Sequence, residues 1–337
     1  MAPSASTRPV EVAAGVMLSS ESTFLLTQRP EGKPYAGYWE FPGGKVEPGE
    51  AAEAALVREL QEELGIEVTR VQPWIVRQHI YAHAHVRLRF FRVLGWNGRP
   101  HSREAQALSW QRLDAISVAP VLPANGPVLR ALALPPVLGI TDAWERGERA
   151  ALDRLDAALA RGLRMVMIRE KTMPQDRLRT FVGEVQRRCA GAGAIAVLNG
   201  DEQLARDWGM DGVHLPSAQL LRCSGRADLR WCGASCHNAL ELDRAAALGV
   251  DYVVLGPVQH TTSHPRAALL GWEAFASLLR DYPLPVYAVG GMTLRHLCMA
   301  CRAGAQGVAM VRGAWWADDP QPFPSGWSGS VSVAAIR

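Results

Sequence analysis

The regular alternation of apolar and amphipathic segments in the C-terminal half of the chain is the feature that most constrains its fold. Apolar segments of strand length recur there eight times: VLGIT, RMVMIRE, AIAVLNG, DGVHL, WCGASC, YVVLGPV, PVYAVGG and GVAMVRG. Strands that alternate with helices are typical of parallel βα units, and eight such units predict a closed (β/α)8 barrel. Polar groups at the carboxyl ends of the strands would then form any active site.

The N-terminal half has a different pattern, and two adjacent prolines separate the halves. From Val10 to about Leu134, short apolar strands surround one strong helix, which predicts a compact α/β domain. Pro135 and Pro136 interrupt both helices and sheet ladders. We therefore expect an N-terminal domain over residues 8–134, a barrel over residues 136–316, and a flexible tail rich in Pro, Gly and Ser over residues 317–337.

The composition excludes several classes of protein. The 337 residues include 36 basic and 33 acidic side chains, and the net charge of +3 is too small to attract DNA or a membrane surface. No apolar run reaches the length of a membrane span and the N-terminus has no signal-peptide pattern, so we expect a cytosolic protein. Six cysteines are too few for a disulfide scaffold, and Cys298 and Cys301 are predicted to be small buried residues of a helix.

The N-terminal helix carries glutamates at neighbouring positions. It is expected to begin near Glu50 and to end at Gly65, and an apolar stripe marks its buried side: Leu56, Leu60 and Leu64. Glu59, Glu62 and Glu63 occupy an adjoining arc, where like charges three and four positions apart repel. A chain with such an arc requires either solvent or a cation to neutralise it.

The loop before this helix favours the cation. Gly43 and Gly44 permit a tight turn that exposes backbone groups, and Glu47 to Glu50 lead the chain into the helix. Carbonyl and carboxylate oxygens would thereby converge, with the Gly43 carbonyl among them. Such hard oxygen ligands suit Mg²⁺, or Mn²⁺ in its place, together with the phosphates of a substrate.

The spacing of this segment resembles the Nudix box without a gap. Gly44 is followed after five residues by Glu50, after seven more by Arg58-Glu59-Leu60, and then by Glu62-Glu63 and Gly65-Ile66. The resemblance implies an α/β/α sandwich with a mixed sheet that hydrolyses a nucleoside diphosphate linked to a further group. It also implies that the three glutamates bind the metal and that Arg58 orients them for catalysis.

Four segments of this half resemble the MutT-type 8-oxo-dGTP diphosphatases: LLTQRP, WEFPGGKVEPGE, VRELQEELGI and LPANGPVLRAL. The resemblance implies that Asn125 binds the purine edge and that Arg29 and Phe41 help to hold the nucleotide. An amide suits this task because it both donates and accepts hydrogen bonds. The expected partner is an oxidised purine nucleoside triphosphate, with no direct binding to DNA.

Two further positions near this site bear on metal binding and on base selectivity. Glu104 lies where the subfamily has a further acidic residue, so it is a metal ligand, a base or an exposed loop charge. Where the subfamily often has an Asp-Arg pair, this chain has His83 and Ala84. Base selectivity is thus less constrained than hydrolysis.

The second half resembles the thiamine phosphate synthase and TenI family of barrels. The segments that carry the resemblance are MIREK, DGVHLP, GASCHN, VLGPVQHTTSH and YAVGGM. Arg169 and Lys171 would face an anion, and Gly290 and Gly291 would offer backbone N–H groups to a phosphate. His237 could shuttle protons near neutral pH, or it could be a hydrogen-bonded structural histidine at a strand end.

Three departures argue against synthase activity. Asn199-Gly200 replaces an Asn-Asp pair, Ser217-Ala218-Gln219 replaces a segment with a second acid, and His264 replaces a lysine. Without both aspartates a departing pyrophosphate loses the metal that stabilises it. A TenI-like thiazole tautomerase, a site that binds a thiamine-pathway phosphate, and a scaffold remain open.

The sequence therefore predicts a Mg²⁺-dependent hydrolase that cleaves 8-oxo-dGTP to the monophosphate and diphosphate, cleansing the nucleotide pool. One alternative is hydrolysis of thiamine diphosphate or a related pyrophosphate of that pathway. In another, the barrel is a sensor of thiamine phosphates that regulates the hydrolase.

Overall fold

The computed structural model describes residues 8–261, 268–315 and 321–324. The chain divides into two compact units, the first built mainly from the residues up to Ala133 and the second mainly from Leu134 onward. His264 and most of the predicted tail lie outside the described residues.

The described residues of the first unit form seven strands and two α-helices. The strands are β1 (Val10–Met17), β2 (Phe24–Gln28), β3 (Trp39–Glu40), β4 (Gly43–Lys45), β5 (Glu67–Ile80), β6 (His85–Asn97) and β7 (Leu108–Gln111). The helices are α1 (Ala52–Leu64) and α2 (Gly126–Leu132). One sheet has the order β4-β1-β6-β5 and is mixed, because β1 runs parallel to β6 and antiparallel to β4, whereas the other sheet has the order β3-β2-β7.

Strand β1 lies at the centre of this unit because both of its faces are apolar. Ala13 and Met17 pack on one side with α1, while Ala14 and Val16 pack on the other with α2. Helix α1 presents its predicted stripe to the first of these cores: Leu56, Leu60 and Leu64, each fully buried. It ends at Gly65, which is left-handed with φ 66°, as expected.

The second unit is a closed parallel barrel. Its strands are β8 (Val137–Ile140), β9 (Met165–Ile168), β10 (Ile195–Asn199), β11 (Gly212–Leu215), β12 (Trp231–Cys236), β13 (Tyr252–Leu255), β14 (Val286–Ala288) and β15 (Gly307–Met310). Its helices are α3 (Ala143–Arg146), α4 (Glu148–Ala160), α5 (Gln175–Gly191), α6 (Glu202–Asp207), α7 (Ser217–Leu220), α8 (Ala239–Leu248), α9 (Gly271–Leu279), α10 (Leu297–Arg302) and α11 (Arg312–Trp315). Strand β15 pairs with β8 and closes the ring.

The predicted α/β class, the mixed N-terminal sheet and the eight barrel strands are confirmed. The long strand β5 and the short strands β3 and β4 were not predicted. Strand β5 carries polar residues and Pro73, which obscure its alternation. Cys298 and Cys301 lie on α10 as expected, but only Cys301 is buried, because Cys298 lies on a partly exposed side of this helix. The six cysteines are free thiols.

No helix in the described part of the chain combines the length and the apolar character needed to cross a membrane.

We expect Leu60→Ala to lower the free energy of unfolding of the N-terminal unit by about 2–5 kcal/mol, because it leaves a cavity between α1 and β1. Gln61→Ala is the matched control, since Gln61 is exposed, and it should change this free energy by less than about 0.5 kcal/mol. Hydrogen exchange of residues 10–132 in the intact chain measures both. Equal losses in the two variants would contradict the packing described for α1.

Candidate active site

Two glycines of β4 let the chain lie directly against α1. Gly43 has φ 142°, and a Cβ there would fall 2.1 Å from the carbonyl oxygen of Ala13 on the neighbouring strand. A Cβ on Gly44 would fall 2.2 Å from Cδ of Glu59. Gly43 is therefore required, whereas a side chain at Gly44 would displace the Glu59 carboxylate, which packs on the backbone of β4.

The guanidinium of Arg58 organises the carboxylates around this loop. Its Nε and NH2 donate to the two oxygens of Glu50 at 3.0 and 3.1 Å, and NH2 also donates to the Lys45 carbonyl at 3.2 Å. Its NH1 donates to Glu59 at 2.9 Å and to Glu62 at 3.1 Å. Hydrogen bonds from Arg58 lower the pKa of the Glu50 carboxyl, so that acid stays ionised.

Glu63 lies in a more negative environment. Burial raises the pKa of its carboxyl to about 7, and the nearby charges of Glu104 and Glu59 act in the same direction. Lys33 opposes them, but its ammonium is paired with Glu104 at 3.3 Å. This side of α1 therefore holds more carboxylates than the described cations neutralise.

These residues fit a divalent cation that binds together with its substrate. Among the described residues, no three His, Cys, Asp or Glu side chains are already gathered around one metal position. Glu59 and Glu62 each direct one oxygen to Arg58, whereas Glu63 faces the other carboxylates. Mg²⁺ commonly uses one or two protein carboxylates plus substrate phosphates, so this donor set suits it without a complete protein cage.

The residues expected to hold the nucleotide differ in accessibility. Arg29 is held by an ion pair of 2.6 Å to Glu40 and donates through Nε to the Pro34 carbonyl at 2.8 Å. Phe41 is 3% exposed and packs in the core against Phe24. Burial raises the pKa of the Glu40 carboxyl, although Arg29 acts in the opposite direction. Glu40 was not predicted as a site residue, and only its position next to Phe41 in the sequence pointed to it.

Asn125 is a buried polar residue that directly precedes α2. It ends the short helix at Pro123–Asn125 and is 3% exposed. Its Nδ2 is buried and has no hydrogen-bond partner in the described part of the chain. A buried amide donor without a partner is costly, which indicates that a ligand completes it.

Aromatic rings lie close to this short helix. Tyr81 is hydrogen-bonded to the backbone of Ala124, and its ring lies 5.2 Å from Tyr35 and 5.6 Å from His83, centroid to centroid. The His83 ring stacks on Tyr81 with an interplanar angle of 28°. Where the MutT-type subfamily often has an Asp-Arg pair, this chain therefore has the stacked ring of His83.

The predicted residues of the barrel follow the carboxyl ends of three different strands. Arg169 and Lys171 follow β9, His237 follows β12, and Gly290 and Gly291 follow β14. Both glycines are left-handed, with φ 99° and 67°. These residues lie at the end of the barrel where active sites of this architecture form.

The two cations of the barrel influence each other. The charge of Arg169, followed by burial, lowers the pKa of the Lys171 ammonium. Burial lowers the pKa of the Arg169 guanidinium, although Glu145 and Glu170 oppose this shift. The carboxylate of Glu170, which could otherwise pair with these cations, accepts hydrogen bonds from the backbone at the start of α3. An anionic ligand beside Arg169 and Lys171 would therefore be stabilised by both cations.

The structure also explains one departure from the synthase pattern. Gly200 has φ 112°, a conformation that L residues rarely adopt. The next residue, Asp201, directs its carboxylate to the N–H of Leu204 at 2.9 Å and caps α6. An aspartate at position 200 would therefore be strained, and Asp201 has a structural partner.

Comparison with known proteins identifies both halves. A family profile described as thiamine monophosphate synthase matches residues 137–314, and one described as the NUDIX domain matches residues 9–132. Both resemblances found in the sequence are thereby confirmed.

Curated relatives match the barrel. A thiamine-phosphate synthase from Thermosynechococcus vestitus is 35% identical over 173 residues, which are 50% of this chain and 49% of that protein. The chain thus spans about half the length of this relative. One from Acidithiobacillus ferrooxidans is 33% identical over 189 residues, covering 53% of this chain and 86% of that protein.

Solved structures resemble each half separately. The MutT NUDIX hydrolase from Burkholderia pseudomallei is 31% identical, with a TM-score of 0.34, and the match covers 36% of this chain and 97% of that one. The thiamine phosphate pyrophosphorylase from Pyrococcus furiosus is 22% identical, with a TM-score of 0.47 and coverage of 57% and 91%. Since residues 137–314 make up slightly more than half of the chain, it belongs to the thiamine monophosphate synthase and TenI family, and it carries a NUDIX domain over residues 9–132.

Proposed function

We propose that the NUDIX domain hydrolyses 8-oxo-dGTP with water to 8-oxo-dGMP and diphosphate and so cleanses the cytosolic nucleotide pool. The observation that carries hydrolysis is the set of carboxylates that Arg58 organises behind the glycines of β4. The NUDIX profile supports a hydrolase of phosphoric anhydrides. The choice of an oxidised purine rests on Asn125.

The charged residues on and near α1 would bind the metal, orient its ligands or act as a base. Glu59, Glu62 and Glu63, with the Gly43 carbonyl, would hold Mg²⁺, which when bound neutralises phosphate charge and activates the attacking water. Arg58 keeps Glu59 and Glu62 oriented through NH1. Glu104 is partly exposed and adds negative charge beside Glu63, which suits a further ligand or a base.

Asn125 and the neighbouring rings would bind the base. The free Nδ2 donor of Asn125 needs an acceptor, and the purine edge offers one. The rings of Tyr81, His83 and Tyr35 provide flat apolar faces near that amide. Arg29, held by Glu40, and Phe41 would help to hold the nucleotide.

For the barrel we propose binding of a thiamine-pathway phosphate, in a TenI-like role, without synthase activity. Burial lowers the pKa of Arg169 and the charge of Arg169 lowers the pKa of Lys171, and a phosphate bound by the two side chains would oppose both shifts. The conformation of Gly200 and the presence of Gln219 disfavour the two metal-binding aspartates. Hydrolysis of thiamine diphosphate by the NUDIX domain is the second candidate, favoured by the presence of both domains in one chain.

We expect Glu59→Gln and Glu63→Gln to leave the protein folded but to lower hydrolysis of 8-oxo-dGTP by at least about 10²-fold, because each removes charge from the metal site while keeping side-chain size. Glu53→Gln on the exposed face of α1 is the control. Diphosphate release measures turnover and circular dichroism measures folding. Near-wild-type turnover in both variants would refute the assignment.

We expect Gly44→Ala to lower the same hydrolysis, because its Cβ would displace the Glu59 carboxylate. Gly183→Ala is the matched control, since a Cβ at that position on α5 meets no atom within 4 Å. Steady-state turnover of the two variants gives the comparison. Full activity of Gly44→Ala would show that the position of the Glu59 carboxylate is unimportant.

We expect Asn125→Ala to weaken discrimination between 8-oxo-dGTP and dGTP more than it slows hydrolysis of either. Asn125→Asp tests the donor specifically, because it keeps the shape of the side chain but removes Nδ2. The ratio of kcat/KM for the two nucleotides is the readout. If both substrates lose activity equally, Asn125 is a structural turn residue.

We expect the chain to form no thiamine phosphate from the pyrimidine pyrophosphate and the thiazole phosphate in excess Mg²⁺. A Glu59→Gln background prevents the NUDIX domain from consuming the pyrophosphate. Calorimetry should still detect binding of the thiazole phosphate, and Lys171→Ala should weaken it. Product formation would overturn the loss of synthase activity, and absence of binding would reduce the barrel to a scaffold.

A further inference from the structure

Glu241 on α8 connects two loops at the carboxyl end of the barrel. Its Oε1 accepts a hydrogen bond from Oγ of Ser217 at 2.6 Å. Its Oε2 lies 2.9 Å from Nδ1 of His237 and also accepts the backbone N–H of that residue at 2.6 Å. Ser217 follows β11 and His237 follows the adjacent strand β12, so one carboxylate joins two neighbouring strand ends.

The charge of Glu241 determines which nitrogen of His237 carries the proton. Burial raises the pKa of the Glu241 carboxyl, but hydrogen bonds from Ser217 and His237 outweigh it and hold that pKa below its ordinary value. An ionised carboxylate accepts hydrogen bonds and cannot donate them. Nδ1 of the neutral imidazole must therefore hold the hydrogen, and Nε2 must keep the lone pair.

The free nitrogen is accessible. The side chain of His237 is 54% exposed, whereas that of Glu241 is 10% exposed. Within the described ranges, no hydrogen bond to Nε2 of His237 is formed. The imidazole is thus held from one side and open on the other, as an acid or base requires.

A capping role alone does not account for this arrangement. Glu241 is the third residue of α8, and Asn238 caps that helix by accepting the N–H of Glu241 at 3.0 Å. Capping explains why Glu241 accepts the backbone N–H of His237 near the helix start. It does not explain the bonds to the imidazole or to Ser217, which comes from a different loop.

We propose that Glu241, supported by Ser217, is a positioning residue that fixes His237 as a base at Nε2 for proton transfer on a phosphate-bearing ligand of the barrel. The ligand class rests on the proposed anion site at Arg169 and Lys171. Nε2 removes a proton from one carbon of the ligand, and the imidazolium returns it to another position. This isomerisation balances without an oxidant, reductant or second substrate.

The tautomer can be measured without any ligand. We expect ¹⁵N spectra of histidine-labelled full-length protein, at about two pH units above the ordinary histidine pKa, to show His237 protonated at Nδ1. His237→Gln assigns the signals. In Glu241→Ala no acceptor faces Nδ1, so we expect the tautomer preferred by an unconstrained imidazole, with the hydrogen mainly on Nε2.

Chemical reactivity gives a second readout. We expect carbethoxylation of His237 by diethyl pyrocarbonate, followed by peptide mass spectrometry, to slow severalfold in Glu241→Ala, because the carboxylate no longer holds the hydrogen on Nδ1 and no longer raises the basicity of Nε2. Ser217→Ala should slow it less, since the His237–Glu241 bond remains. The other histidines in each sample serve as internal references.

Asn238→Ala separates positioning from capping. It removes the capping oxygen of α8 without changing the carboxylate at the imidazole. We expect lower thermal stability but an unchanged tautomer and unchanged reactivity of His237. An unaltered tautomer in Glu241→Ala, or the same tautomer change in Asn238→Ala, would overturn the proposal. Because neither readout requires a ligand, its failure is distinguishable from failure of the barrel to bind a phosphate.

Discussion

The NUDIX site depends on the guanidinium of Arg58. On an exposed helix, glutamates three and four positions apart repel by about 0.2–0.5 kcal/mol per pair. Arg58 offsets this repulsion by contacting Glu59 and Glu62 on α1, and it also holds Glu50 and the Lys45 carbonyl before the helix. One side chain therefore joins the glycine loop to the helix and sets the direction of the carboxylates.

Much of this architecture could be predicted because it depends on local patterns. The leucine stripe of α1, its end at Gly65 and the eight barrel strands follow from apolar periodicity and glycine conformation. Strand β5 was missed because its polar residues and Pro73 break the alternation on which a strand prediction relies. The gathering of the metal-site glutamates stays a prediction, because the ligand set includes groups that only a substrate supplies.

The partners of the site residues were harder to predict because they depend on tertiary contacts. Glu40 meets Arg29 across the β2–β3 pair, and nothing in the spacing of the two residues indicates an ion pair. Glu241 lies four positions after His237, but His237 precedes α8, so the helical spacing rule does not predict their contact. Its bond to Ser217 requires knowledge that β11 and β12 are neighbours in the barrel.

The pairing of β15 with β8 has a consequence for a protein that contains two sheet-bearing units in one chain. A strand at the edge of an open sheet exposes N–H and C=O groups that can recruit another strand, which is a common route to misassembly and aggregation. The ring of eight barrel strands leaves no such edge, whereas in the first unit β4 and β5 end one open sheet and β3 and β7 end the other. During synthesis and refolding, a completed barrel thus cannot capture strands of the other unit, and the hazard of wrong pairing is confined to the two open sheets.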